Sequence, residues 1–147
     1  MKAAKGKPNR GHLYSIYQRV KNNCHDEWRV SRESFYSWYE NRIREQKGLC
    51  EYCHLPGDTT KYYRSEGFRK GRRGFNLEVD RKDAQEQYSP ENCVLACYPY
   101  NNAKSDVFSY EEFLKIGEAI GKAKKKCLEG LNKSETTIEP HGDGVRI

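Results

Sequence analysis

The sequence predicts a small α+β domain in which two short strands lie among longer helices. Apolar residues recur at helical spacing over 12–22. Leu77 and Val79 alternate with polar residues over 76–80, and 93–97 is a short apolar run, both typical of strands. A chain of 147 residues suits one domain with a modest core. The shared apolar face of the first helix consists of Leu13, Ile16, Tyr17 and Val20.

A second helix is expected over 31–46, because Ser31 can cap its N-terminus and Gly48 follows its end. Between the first two helices, 22–30 has the composition of a polar loop, and it contains Cys24 and His25. The stripe expected to be buried on the second helix is Phe35, Trp38, Tyr39 and Ile43.

The last helix is predicted over 109–126, since Ser109 and Glu112 have the spacing of a capping box. A short helix is expected over 101–105, after Pro99 has ended the second strand. The stripe expected to be buried on the last helix is Phe113, Ile116, Ile120 and Ala123.

These elements divide the chain into a flexible basic arm over 1–10, one domain over 11–128 and a disordered tail over 129–147. No stretch approaches the roughly 18 apolar residues that a membrane helix needs. The basic N-terminus is not followed by an apolar run, so no signal peptide is expected. The expected location is the cytoplasm, without membrane attachment.

Positive charge is concentrated in three places, and the formal net charge is +6. Clustered like charges repel one another, and a polyanion such as nucleic acid is the usual compensation. A solvated surface is the alternative for any single cluster. The first 25 residues carry Lys2, Lys5, Lys7, Arg10, Arg19 and Lys21 and no acid; the second cluster is Lys61, Arg64, Arg69, Lys70, Arg72 and Arg73, and the third is Lys122, Lys124, Lys125 and Lys126.

The most informative block begins at Leu77-Glu-Val-Asp-Arg-Lys-Asp83 and continues through Tyr88-Ser-Pro-Glu-Asn92 to Val94-Leu-Ala-Cys-Tyr-Pro-Tyr-Asn-Asn-Ala-Lys104. An upstream Cys-x-x-Cys pair, Cys50 and Cys53, precedes it. This arrangement resembles the HNH, or ββα-metal, endonucleases of the zinc-knuckle subtype. The resemblance is strong over 50–106, extends weakly through the last helix, and includes phage members and rare-cutting homodimeric restriction members.

The resemblance implies a ββα-metal core with a zinc-knuckle-like turn and flanking helices. It also implies a catalytic divalent cation, Mg²⁺ or Mn²⁺, bound by Asp80 and Asn101. The chemistry agrees, because a hard divalent cation prefers oxygen ligands and can neutralise a phosphate. Alone, Asp80 would be read as a turn or cap residue. Asn92 is expected to fix the loop between the strands through side-chain to backbone hydrogen bonds.

Two positions depart from the family pattern. The usual general base is a histidine after the metal-binding aspartate, but this chain has Arg81, which stays protonated and can only support a phosphate. The resemblance points to His25 as a substitute base, with a surface histidine as the alternative; Tyr88 and His54 are weaker candidates. A subset of family members also has Asp-Arg here, so Arg81 does not exclude activity.

The second departure is Tyr100, which stands where the family has the fourth cysteine of a structural zinc site. The resemblance therefore supplies three ligands for Zn²⁺, namely Cys50, Cys53 and Cys97, while structural zinc nearly always has four. His54 and Cys93 are candidate fourth ligands. The alternative is that zinc is absent and Tyr100 fills the space by packing.

The function that these residues predict is metal-dependent hydrolysis of phosphodiester bonds in double-stranded DNA. The residues expected to contact DNA are Lys61, Arg64, Arg69, Lys70, Arg72, Arg73 and Lys104. Restriction, homing and phage roles stay open, and so do the homodimer that the restriction members suggest and the number of strands cut. The rival hypotheses are a non-catalytic DNA-binding module that has kept the HNH frame, and a zinc-knuckle protein that binds another protein.

Overall fold

The computed structural model describes residues 10–57 and 76–134, and within these it has the predicted α+β class. Five helices flank one two-stranded sheet in the described part of the chain. The arm was predicted over 1–10, but Arg10 already belongs to the first helix. Residues 1–9, 58–75 and those after 134 lie outside the described residues. In chain order the elements are α1 Arg10–Val20, a 3-10 turn Lys21–Asn23, α2 Asp26–Val30, α3 Arg32–Glu45, β1 Glu78–Arg81, β2 Cys93–Ala96, α4 Tyr98–Lys104 and α5 Tyr110–Ser134.

The first helix is confirmed, and all four residues of its predicted apolar face are buried. The polar loop predicted over 22–30 was wrong in part, because Asp26–Val30 forms the short helix α2. Trp28, on α2, is fully buried, and its carbonyl accepts a hydrogen bond from the Tyr17 hydroxyl at 2.9 Å. A helix of five residues is too short for apolar periodicity to reveal it.

Helix α3 begins as predicted, because the Ser31 hydroxyl accepts a hydrogen bond from the backbone N–H of Ser34 at 3.2 Å. Its end is closed by the backbone N–H of Gly48, which donates to the Ile43 carbonyl at 2.8 Å with φ of 72°. The aromatic side chains of α2 and α3 form much of the core. The Trp28 ring centroid lies 5.1 Å from that of Phe35 and 4.8 Å from that of Trp38.

The two strands form an antiparallel hairpin in which Asp80 is paired with Val94 and Arg81 with Cys93. The alternation of apolar and polar residues in β1 suggested one buried and one exposed face, and this was wrong. Glu78 and Asp80 are buried together with Val79. A charged residue is rarely buried without a partner. Both carboxylates therefore need nearby cations, and both have one.

Helix α4 starts earlier than predicted, because Pro99 lies in its first turn. Proline is tolerated there, since the first turn has no intrahelical acceptor for its missing N–H. The backbone N–H of Asn101 donates to the Cys97 carbonyl at 3.1 Å. Cys97 therefore determines where α4 begins, and α4 in turn positions Asn101.

Helix α5 has the predicted capping box: Ser109 N–H donates to the Glu112 carboxylate at 3.0 Å, and Glu112 N–H donates to the Ser109 hydroxyl at 3.3 Å. The helix extends to Ser134, so 129–134 are helical although the sequence assigned them to a tail. The predicted buried stripe was only partly right. Phe113 is buried, but Ile120 is 36% exposed.

The buried face of α5 continues through Gly117 and Gly121 instead. A Cβ atom at Gly117 would lie 2.5 Å from the Tyr52 Cβ, and one at Gly121 would lie 2.1 Å from the Cys53 carbonyl oxygen. These glycines let α5 approach the Cys50–Cys53 turn more closely than any other residue would allow.

Among the described residues, no helix combines the length and apolar composition needed to cross a membrane.

Candidate active site

A cleft of about 460 Å³ opens beside the end of β1. It is polar and open to solvent, so it can admit a charged group from a large ligand. Two of the predicted metal ligands, Asp80 and Asn101, both line it. The complete lining is Asp80, Arg81, Ala84, Gln85, Tyr88, Asn101, Ser105 and Asp106.

The Asp80 carboxylate is 7% exposed and has two side-chain partners on the same oxygen, Oδ2. The Tyr52 hydroxyl donates a hydrogen bond to it, and the Lys104 ammonium lies 3.7 Å away. Burial raises the pKa of Asp80, while the bond from Tyr52 and the charge of Lys104 oppose that rise. The ionised carboxylate is therefore stabilised by a phenol and a cation that are both inside the protein.

Lys104 was expected to contact DNA, and its placement contradicts this. The residue is 1% exposed, and its ammonium donates a hydrogen bond to the Arg81 carbonyl at 2.7 Å in addition to facing Asp80. A buried cation committed to a carboxylate and a carbonyl cannot reach a backbone phosphate. Lys104 is instead the counter-ion of Asp80.

The Asn101 side chain is held by its amide nitrogen, which donates to the Val79 carbonyl at 3.2 Å. Because a carbonyl accepts from the nitrogen, the amide oxygen is directed away from Val79. An oxygen in this position has the chemistry of a ligand for a hard cation. Asn101 thus offers an oxygen, and Asp80 a carboxylate, to the same cleft.

The side chain of Asn92 makes the hydrogen bonds expected of it within the loop between the strands. Its nitrogen donates to the carbonyls of Asp83 and Gln87, both at 3.0 Å, and its oxygen accepts from the Asp83 N–H at 2.9 Å. This side chain replaces backbone partners that an irregular loop cannot supply by itself. The loop that carries Ala84 and Gln85 along the cleft is fixed in this way.

Arg81 is held over the aromatic ring of Tyr88, with its guanidinium carbon 4.8 Å from the ring centroid. One of its nitrogens donates to the Glu86 carbonyl at 3.0 Å. These contacts hold the guanidinium at the edge of the cleft. Burial raises the pKa of Tyr88, so the side chain is a neutral phenol near neutral pH.

His25 does not line the cleft, although its backbone is tied to a residue that does. The His25 N–H donates to the Tyr88 carbonyl at 2.8 Å, and the Tyr88 N–H donates to the Asn23 carbonyl at 2.9 Å. His25 precedes α2, and its side chain is exposed. The structure therefore places His25 near the cleft without directing it at Asp80.

The three cysteines predicted to bind zinc are buried together. The sulfur atoms of Cys50, Cys53 and Cys97 lie within 4.8 Å of one another. Tetrahedral zinc with sulfur at about 2.3 Å separates its ligands by about 3.8 Å, so only a small contraction is needed. Hydrogen bonds with Cys53 and Cys97 lower the pKa of Cys50. The bond with Cys50 raises the pKa of Cys53, and bonds with Cys50 and Cys53 raise the pKa of Cys97. The cluster could hold a metal ion such as zinc.

Neither candidate for a fourth ligand joins this cluster. His54 is exposed with φ of 54°, and it acts electrostatically on Glu118 of α5. Cys93 is buried in β2 but is not part of the group. Tyr100, which replaces the family's cysteine, is 4% exposed. Within the described residues, the cluster is thus a three-thiol site next to a buried tyrosine.

Sequence reasoning missed Tyr52, which lies between two cysteines and appeared to be part of the turn. Its side chain is fully buried, and its ring packs edge-on against Phe113 with centroids 4.9 Å apart. The only signal in the sequence was its position inside the Cys-x-x-Cys turn. The basic residues predicted to contact DNA between Lys61 and Arg73 lie outside the described residues.

Taken together, the fold and the cleft define the class: the chain has an HNH-endonuclease-like fold, as the sequence resemblance implied. The solved structure that supports this assignment is that of PacI, a rare-cutting HNH restriction endonuclease. The two chains are 29% identical, the match covers 84% of each, and the TM-score is 0.58. This similarity supports a nuclease function.

No family model matches the chain, and no curated protein matches it either.

Proposed function

We propose that this protein is a metal-dependent DNA endonuclease of the HNH type, which hydrolyses phosphodiester bonds in double-stranded DNA. The observation that carries the proposal is the convergence of Asp80 and Asn101 on one polar cleft. They come from different elements, β1 and α4, 21 positions apart in the sequence. The similarity to an HNH restriction endonuclease supports the same conclusion.

The donor set of the cleft fits Mg²⁺ or Mn²⁺. Both proposed ligands present oxygen, which such hard cations prefer, and two protein ligands leave positions for water and a phosphate oxygen. Both side-chain contacts of Asp80 fall on Oδ2, so they do not exclude coordination through Oδ1. When bound, the cation would neutralise charge on the scissile phosphate and on the leaving oxygen.

Two further residues are proposed to bind the phosphate and to accept the proton of the attacking water. Arg81 binds a phosphate and offsets developing negative charge, because a guanidinium has N–H donors and no acceptor. The ring of Tyr88 packs against the Arg81 guanidinium and holds it in place. His25 is the proposed general base, because a neutral imidazole can accept a proton from water and the residue is exposed, with its backbone bound to that of Tyr88.

The three-thiol cluster is proposed to hold a structural Zn²⁺ ion. Cys97 immediately precedes α4, and the helix carries Asn101 one turn later. A metal at the cluster would therefore fix the element that presents a catalytic ligand. The proposed partner is duplex DNA, and two copies of the chain would be needed to cut both strands symmetrically.

The test is nicking of a supercoiled plasmid with Mg²⁺, with Mn²⁺ and with EDTA over a range of pH. We expect a metal-dependent product from the wild type and none from Asp80→Ala, because a metal ligand has been removed. The matched control is Asp26→Ala, since Asp26 is an exposed acid on α2 that pairs with Arg29 and does not line the cleft. DNA binding should survive in both variants.

Two results would contradict this assignment. Cleavage by Asp80→Ala at the wild-type rate would remove Asp80 from the mechanism. Retention of DNA by the wild type without a metal-dependent product at any pH would favour the second candidate, a DNA-binding protein that has kept the HNH frame. Arg81 is the observation behind that candidate, because it stands in place of the usual histidine base.

A further inference from the structure

The face of β1 that presents Asp80 also presents a second carboxylate, Glu78. Residues two apart on a strand point to the same side, so the two acids are neighbours on one face. Glu78 is buried, with its side chain 5% exposed, and its carboxylate lies 3.3 Å from the Arg19 guanidinium. Arg19 comes from α1, which contributes no residue to the cleft lining.

The two side chains of this ion pair differ in their exposure to solvent. The Arg19 side chain is 37% exposed, while the Glu78 side chain is almost completely covered. A guanidinium has five N–H donors in a fixed fork, and Nη2 of Arg19 makes the 3.3 Å contact with Glu78. An approaching anion therefore meets the arginine and not the carboxylate that orients it.

Arg19 is held close to the cleft by the chain that follows it. Four residues later, the Asn23 carbonyl accepts the Tyr88 N–H, and the Tyr88 carbonyl accepts the His25 N–H. The charges of Arg81 and Arg19 both act to lower the pKa of Tyr88 against the effect of its burial. The two arginines are thus both within electrostatic range of one tyrosine that lines the cleft.

We propose that Arg19 is a DNA-binding residue that acts with Arg81, so that the two guanidinium groups hold backbone phosphates of the strand bound at the cleft. This inference rests on the proposed function, because it takes the ligand to be DNA. Glu78 is the positioning residue, since it orients Arg19 and partly neutralises it. The role is one of affinity and register, because phosphate contacts carry no sequence information.

The test measures binding of a DNA duplex by fluorescence anisotropy in EDTA, so that no cleavage occurs, over a series of salt concentrations. Each phosphate contact contributes about 0.9 to the slope of log affinity against log salt. Arg19→Met should reduce the slope by about 0.9 and weaken binding about tenfold at 50 mM salt. Arg19→Lys should keep most of the slope, because the cation remains.

Variants of Glu78 test whether Arg19 contacts a phosphate or only neutralises Glu78. Glu78→Gln should tighten binding, because the carboxylate no longer competes for the guanidinium. The double variant Arg19→Met with Glu78→Gln should stay as weak as Arg19→Met alone. Recovery of wild-type binding by the double variant would mean that Arg19 serves only to neutralise Glu78, and would overturn the inference.

The matched control is Arg32→Met, because Arg32 is also an arginine paired with a glutamate, Glu33 at 3.4 Å, and its side chain is 49% exposed on α3. Arg32→Met should leave the slope unchanged. A reduction of the slope as large as that of Arg19→Met would show a diffuse charge effect and overturn the inference. If the wild type itself fails to bind DNA, the proposed function fails. If the wild type binds and Arg19→Met binds with the same slope, only the role of Arg19 fails.

Discussion

At the scale of single residues, the most consequential contact is between Asp80 and Lys104. Both are buried, and the ammonium lies 3.7 Å from the carboxylate. The desolvation of two charges is expensive, so the pair contributes little net stability compared with apolar residues of the same shape. Its value is positional, because the ammonium opposes the rise in the pKa of Asp80 that burial causes, and so favours the ionised carboxylate at the base of an open cleft.

Replacement of Lys104 by methionine should therefore lower the free energy of unfolding by about 3 kcal/mol, because Asp80 would be left buried with an uncompensated charge. Urea denaturation measures this. Adding Asp80→Asn should restore part of the loss, since the uncompensated charge is then gone.

The matched control for that prediction is Lys122→Met. Lys122 pairs with Glu118 at 2.8 Å on the exposed surface of α5, where solvent screening leaves such a pair with little effect on stability. A loss at Lys104 no larger than the loss at Lys122 would contradict the assignment of Lys104 as a buried counter-ion.

At the scale of elements, the contact between α5 and the Cys50–Cys53 turn depends on two glycines. The turn holds Tyr52 and two of the three clustered thiols, so the position of α5 affects both the three-thiol cluster and the partner of Asp80. Apolar side chains at these helix positions would hold the two elements apart. The close approach is the reason that the buried face of α5 does not follow its apolar residues.

Gly121→Ala should lower the free energy of unfolding by about 1–3 kcal/mol, because the new methyl group would overlap the Cys53 carbonyl oxygen. The measurement is chemical denaturation. Gly130→Ala is the control: it lies in the same helix, a Cβ there would meet nothing within 4 Å, and it should raise stability by up to about 1 kcal/mol. A higher free energy of unfolding for both variants would contradict the close contact between α5 and the Cys50–Cys53 turn.

At the scale of the whole molecule, one continuous hydrophobic core has two parts. Helices α1 to α3 form an aromatic cluster, and the hairpin with α4 and α5 surrounds the thiols. Gln46 joins the two parts, since its side chain donates to the Leu95 carbonyl at 2.8 Å and accepts from the Leu95 N–H at 2.9 Å. A metal at the thiols would therefore stabilise the part of the molecule that carries the cleft.

We expect the purified protein to contain about one zinc ion per chain, and a strong chelator to lower its Tm, because metal binding of this kind couples to folding. Elemental analysis and thermal unfolding measure the two effects. Cys97→Ser should lose the zinc, whereas Cys127→Ser should keep it, since Cys127 is exposed on α5. Metal-free wild-type protein with a Tm insensitive to chelators would support packing by Tyr100 instead.

The sequence alone was enough to predict the α+β class and four of the five described helices, because apolar periodicity and helix caps are properties of neighbouring residues. The motif spacing likewise pointed to Asp80 and Asn101, which line one cleft. The predicted caps at Ser31 and Ser109 are both present for that reason. The short helix with Trp28 was missed, since five residues carry too little periodicity.

The set of buried charged residues could not be predicted from the sequence and depends on tertiary packing. Lys104 looked like a surface cation and Glu78 like the exposed side of a strand, yet both are buried because each meets an opposite charge from a distant part of the chain. Tyr52 reaches Asp80 across 28 positions of sequence. Such pairings depend on the packing of separate elements, and no pattern of adjacent residues encodes them.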